Sequence, residues 1–227
     1  MFPSSLESIL GSWSFDPSIL FVTTTAAIIY IRGWRRLRVE HRARFGPAQL
    51  AAFLGGLACG VLAICSPLDT FGGMLLWVHM TQHVLLLMVV APLILIARPA
   101  GPLLRGLPMP VLQGVVGPAL ANRRIRAVGR CLSTPVIALS IFILATWIWH
   151  VPALYEVALI DPFWHRFEHV TFLAASIIFW FPVIRPWPAS PTGPQWMIVP
   201  YLLIADLQNT LLAAIFCFVD RVLYPTY

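Results

Sequence analysis

Five of the six histidines in this 227-residue chain fall into a pattern that could hold a cation. His79 and His83 are spaced i, i+4, and His165 and His169 repeat that spacing, so on helices each pair shares one face. His150 lies between the two pairs in the chain. Imidazole is the commonest metal ligand and suits copper, zinc and haem iron. A thioether such as Met80 would tilt such a site toward Cu(I), but Met80 lies about 100° round the helix from His79. It is a ligand only if the helices pack to allow it, and otherwise a core methionine. Two facing H-x-x-x-H helices could instead supply paired axial histidines to haem, as in a membrane b-type cytochrome. A lone intramembrane histidine reads as an interhelical hydrogen-bonding partner. Five at one level, with His79, His83 and His169 well inside apolar segments, read as a metal or cofactor site, because buried polar groups are costly. His41 sits in an arginine-rich loop and needs no separate account.

Other polar residues accompany them. Gln82 shares the face of His79 and His83. Glu168, beside His169, could orient a ligand imidazole as an acceptor, or pair with Arg166. Asp206, Asn209 and Thr210 form a stripe at i, i+3, i+4, with Asp206 near the bilayer midplane. There an unpaired carboxylate is expensive, so Asp206 reads as a ligand-support or proton-path residue, as a conduction residue were the chain a copper permease, or as an interhelical hydrogen-bonding group. No G-x-x-x-x-G-K-[ST], G-x-S-x-G or H-E-x-x-H occurs, and no nucleophile–base pair suggests an enzyme.

Such side chains need apolar elements to carry them. Hydrophobic residues make up 59% of the chain and charged ones 11%, against about 25% charged in a soluble domain. The mean hydropathy is +0.83. A cytosolic enzyme, a disordered tail and a disulfide scaffold are excluded, and Cys59, Cys65, Cys131 and Cys217 form no C-x-x-C pair. Met1–Trp13 has no basic n-region and does not read as a cleavable signal peptide. Six apolar runs are expected to span a ~30 Å hydrocarbon layer as helices: Pro17–Gly33, Gln49–Cys65, Gly73–Ala97, Thr134–His150, Phe163–Ile184 and Gln195–Val219. The expected fold class is all-α: a single polytopic transmembrane helical bundle over residues 1–227.

All fifteen basic residues are arginine, and thirteen fall on one side of these spans, in the loops after the first and third and at Arg185. By the positive-inside rule that side is cytoplasmic and both termini lie outside. The charge of +6 is thus set by topology in membrane lipid, not by nucleic acid. In this frame the five histidines share the outer half, with His79 ~9 Å and His83 ~15 Å from the outer end of their span. Residues Leu107–Ala121, apolar but broken by Pro108, Pro110 and Pro118, read as an interfacial or re-entrant piece. Gly56 and Gly60 form a G-x-x-x-G that would let a neighbouring helix approach.

Several strings together resemble one family. Ser66-Pro-Leu-Asp69, His79-Met-Thr-Gln-His83, Leu85-Leu-Leu-Met88, Ala91-Pro-Leu93 and Trp149-His150-Val-Pro152 are similar to the CtaG family of caa-type cytochrome c oxidase assembly factors. So are His165-Arg-Phe-Glu-His169, Phe179-Trp180 and Leu223-Tyr-Pro-Thr-Tyr227. The resemblance covers about residues 50–227 and places His79, Met80, Gln82, His83, His150, His165 and His169 on recurring positions. It implies an integral protein of the bacterial cytoplasmic (inner) membrane that binds or delivers copper on its outer side. The implied partners are the cytochrome c oxidase subunits and a periplasmic copper chaperone.

Overall fold

The computed structural model of the protein describes residues 11–187, 189, 194–220 and 223–224. Met1–Leu10, Arg221 and the Pro225–Tyr227 end of the terminal motif lie outside them. Among the described residues the chain is helical, with no strand. Proline sets where many helices begin, because its missing N–H and fixed φ suit the first helical turn. It opens α1 (Pro17–Glu40), α2 (Pro47–Cys65) and the short α3 (Pro67–Gly72). After α4 (Leu76–Ile96), α5 (Ala100–Gly106), α6 (Met109–Ala121) and α7 (Arg123–Leu132), it opens α8 (Pro135–Trp149), α9 (Pro152–Ile160) and α10 (Pro162–Ile184). The last helix is α11 (Gln195–Phe218), whose first turn is a 3-10 turn. Side-chain caps reinforce the starts: Asp16, Ser66, Asn122 and Asp161 each accept from the backbone N–H two residues on.

Among the described residues, four helices are long and apolar enough to cross a membrane: α2, α4, α10 and α11. A fifth results if α7 and α8, bent by 74°, are counted as one span. The expected first span folds as α1, but three threonines and the arginines of its last turns leave it outside that set. The expected third span starts later than the sequence suggested, at Leu76, because α3 ends at Gly72 and the chain turns before α4 begins. The expected interfacial piece is α6, with Met109, Val111, Val115 and Leu120 exposed.

α4 is the central element. On one side Ala63, Leu86 and Val90 pack it against α2. There Gly56 keeps the helices close, since a Cβ would lie 3.2 Å from Ile94 Cγ1. On the other side Leu87 joins the core of Phe142, Trp149, Phe172, Phe179, Tyr201 and Ala205 from α8, α10 and α11. Between these contacts α4 widens into one π-helical turn, Leu86–Val90, and Pro92 explains it. The Ala91 N–H bonds Leu86 O, and residue 92 has no N–H to offer, so the Leu87 carbonyl is left without a partner in its own helix. α10 supplies two: Ser176 Oγ donates to Leu87 O at 2.5 Å and Trp180 Nε1 at 2.9 Å. This clamp fixes the register between the two helices that carry the histidine pairs.

Candidate metal centre

The first turns of α4 and α10 meet at one end of the bundle, opposite the arginine-bearing ends of α1, α4 and α10. The i, i+4 spacing turns His79 and His83 toward α10, and His165 and His169 toward α4. His79, His83, Glu168 and His169 are buried, and His165 is partly exposed. The His79 and His83 Nε2 atoms are 2.9 Å apart. Ring centroids separate by 5.4 Å for His83 and His169, 5.2 Å for His79 and His165, and 4.4 Å for His165 and His169. With α4 starting at Leu76, His79 lies ~4.5 Å and His83 ~10.5 Å along the helix, so His83 is the one level with His169.

Glu168 sits among these rings. Its Oε1 lies 3.5 Å from His83 Nε2, and its Oε2 lies 3.7 Å from His79 Nε2 and 3.9 Å from His165 Nδ1. Neither oxygen makes a hydrogen bond among the described residues, and neither do His83 Nδ1 and His169 Nε2. A fully buried carboxylate without hydrogen bonds is costly unless a cation or a proton joins it. Two sets of ligand atoms, from His79, His83 and His169 and from His79, His165 and Glu168, each lie within 4.8 Å of one another. This donor set fits a cation that takes nitrogen and oxygen ligands, such as copper or zinc.

The other expected residues are placed differently. His150, the C-cap of α8, is at the rim, its ring centroid 6.2 Å from that of His83. Its Nδ1 lies 2.6 Å from the Thr146 carbonyl oxygen, which can only accept, so Nδ1 carries the hydrogen and Nε2 keeps a lone pair. Gln82 is buried behind the cluster and donates to Ala63 O at 2.8 Å. Glu168 turns inward; Arg166 instead meets Asp16, Nη1 to Oδ2 at 3.6 Å. Met80 is half-buried. Asp206 is exposed on α11 and is not gathered into the buried cluster.

Three contributors lay outside the sequence expectation. Tyr155 of α9 is buried with its ring 5.2 Å from His79, and Phe172 is 4.6 Å from His83. Asp69 of α3 lies with Oδ1 3.6 Å from His165 Nε2, and Gln82 donates to it at 3.3 Å. Burial would raise the Asp69 carboxyl, but the contact with His165 and the bond from Gln82 outweigh it and hold the group below the usual carboxylate range. The signal in the sequence was the capping serine and proline of Ser66-Pro-Leu-Asp69, which begin a new helix just before the histidine helix.

The model of a family described as cytochrome c oxidase caa3 assembly factor matches residues 28–227. Curated relatives include an uncharacterized protein of Mycobacterium bovis, 27% identical over 188 residues, which are 80% of this chain and 28% of that protein. An uncharacterized protein of Mycobacterium leprae is 27% identical over 203 residues, 88% of this chain and 30% of that protein. The chain thus spans less than a third of the length of the curated relatives it matches. No solved structure matches.

Proposed function

The chain belongs to the cytochrome c oxidase caa3 assembly factor family, and we propose that it serves that assembly by holding copper in the histidine–glutamate cluster and passing it to the oxidase. The observation that carries this reading is the buried Glu168 carboxylate, whose two unpartnered oxygens are surrounded by the ring nitrogens of His79, His83 and His165. In this reading the cation is cargo. His79, His83 and His169 offer lone pairs, Glu168 balances charge, and His165 and His150 lie at the margins where the cation arrives and leaves. The role is non-catalytic.

The arginine distribution supports an orientation in which α1, α2, α4, α8, α10 and α11 form a six-span bundle with both termini outside the cytoplasmic membrane and the cluster in its outer half. Delivery then takes place on the outer face, from a periplasmic copper chaperone to an oxidase subunit. A single ion suits the cluster better than haem. An iron between two axial imidazoles, at about 2.0 Å from each, needs nitrogens about 4 Å apart with room for a macrocycle between them. Here the rings that meet across α4 and α10 are packed edge to face, with centroids 5.2 Å apart for His79 and His165 and 5.4 Å apart for His83 and His169, and Tyr155 and Phe172 pack against them where a macrocycle would have to lie.

The test is genetic and biochemical. Cells carrying His83→Ala or His79→Ala should keep the protein in the membrane while oxidase activity and oxidase-bound copper fall. Normal oxidase activity in both variants would sink the reading.

A further inference from the structure

A cleft of about 440 Å³ lies beside the cluster, its wall including Phe15, Asp16, Asp69, His165, Arg166 and His169. Exposure falls from the cleft toward the cluster: the Asp69 side chain is 29% exposed, His165 23%, and Glu168, behind the wall, 0%. The two ring nitrogens of His165 face two carboxylates, Nε2 toward Asp69 Oδ1 at 3.6 Å and Nδ1 toward Glu168 Oε2 at 3.9 Å. His169, which also lines the cleft, has its Nε2 buried without a hydrogen-bond partner. Asp69 is held in place by Gln82 and by Ser14 Oγ at 3.5 Å. On the lip, Arg166 is drawn to Asp16, which leaves the Asp69 carboxylate turned to His165.

We propose that this cleft is the route by which the cation reaches the buried cluster, and that Asp69 with His165 forms a first, transient cation-binding station on it. The inference rests on reading the buried cluster as a copper site. A cation is attracted to Asp69 and takes the adjacent His165 nitrogen. Rotation of the imidazole about its Cβ–Cγ bond then presents it to Glu168 and the deeper histidines. No bond other than metal–ligand contacts forms or breaks. Asp69 and His165 therefore govern how fast the cation enters and leaves. The deeper residues govern how tightly it is held.

The full chain, purified in detergent, is mixed with a copper(II) salt, and quenching of tryptophan fluorescence gives association and dissociation rates, with affinity from chelator competition. Asp69→Asn preserves shape and the acceptor oxygen toward Gln82. It should slow association about tenfold, in line with electrostatic focusing, and slow dissociation by a similar factor, leaving Kd within about threefold. His165→Gln should likewise slow both association and dissociation, and guards against a folding defect in the first variant. Unchanged rates in both variants, or a Kd that weakens in step with slower association while dissociation stays constant, would overturn the route. The readings separate through His83→Ala. If that variant keeps full copper affinity while Asp69→Asn still slows exchange, the cluster assignment fails, and Asp69 with His165 stands only as a cation-binding station in the cleft. If the wild type takes up no copper(II), both fall.

Discussion

Replacing Glu168 by glutamine should change metal affinity and metal-free stability in different directions. The substitution keeps size and removes the charge. A unit positive charge at the ring nitrogens, 3.5 and 3.7 Å from the carboxylate oxygens, interacts with it by roughly 4–5 kcal/mol at an effective dielectric of about 20. The glutamine carbonyl dipole recovers part of that. The net loss is then roughly 2–3 kcal/mol, which weakens Kd roughly 30- to 150-fold. Without metal the variant gains, because an amide replaces a carboxylate whose two oxygens have no hydrogen-bond partner among the described residues, and its N–H donors can reach the histidine nitrogens. The assays are chelator competition for copper and thermal unfolding of the metal-free protein in the same detergent. Affinity equal to wild type, or a metal-free melting temperature lower by more than about 2–4 °C, equivalent to about 1 kcal/mol for a domain of this size, would refute the reasoning.

Other outcomes follow from the packing. Ser176→Ala combined with Trp180→Phe leaves the Leu87 carbonyl without its α10 donors and should cost about 1–3 kcal/mol, read as a lower melting temperature, with single variants each showing a smaller loss. Gly33→Ala drives a methyl into the Pro102 carbonyl oxygen where α1 crosses α5 and should sharply reduce folded yield in membranes. Gly55→Ala meets open space and should be neutral or stabilising by about 0.5–1 kcal/mol.

The parts of the site that could be read without the structure were the local ones. Spacing of four residues places His79 with His83 and His165 with His169 on any helix, and apolar runs predicted the helices that carry them to within a few residues, whereas the first run, expected to end at Gly33, continues as helix to Glu40. What escaped depends on contacts between distant segments. Glu168 could turn to Arg166 or to the histidines, and that was settled only by Asp16 arriving from the start of α1 to take the arginine. Asp69 is nearly a hundred residues from His165 in the chain, and only the folding back of α3 joins them. The polar stripe on α11 suggested that Asp206 faces inward, but Tyr201, Ala205 and Leu212 occupy the buried face and turn Asp206 out. The later start of α4 and its π-helical turn come from a glycine pair and from Pro92, whose effects depend on neighbouring helices.

The most direct measurement is the copper, iron and zinc content of the purified full chain beside that of the His79→Ala/His83→Ala double variant. Copper is expected in near-stoichiometric amount in the wild type and should be lost in the variant, with both proteins recovered from the membrane in equal yield. Copper retained by the double variant, or iron in place of copper in the wild type, would contradict this expectation.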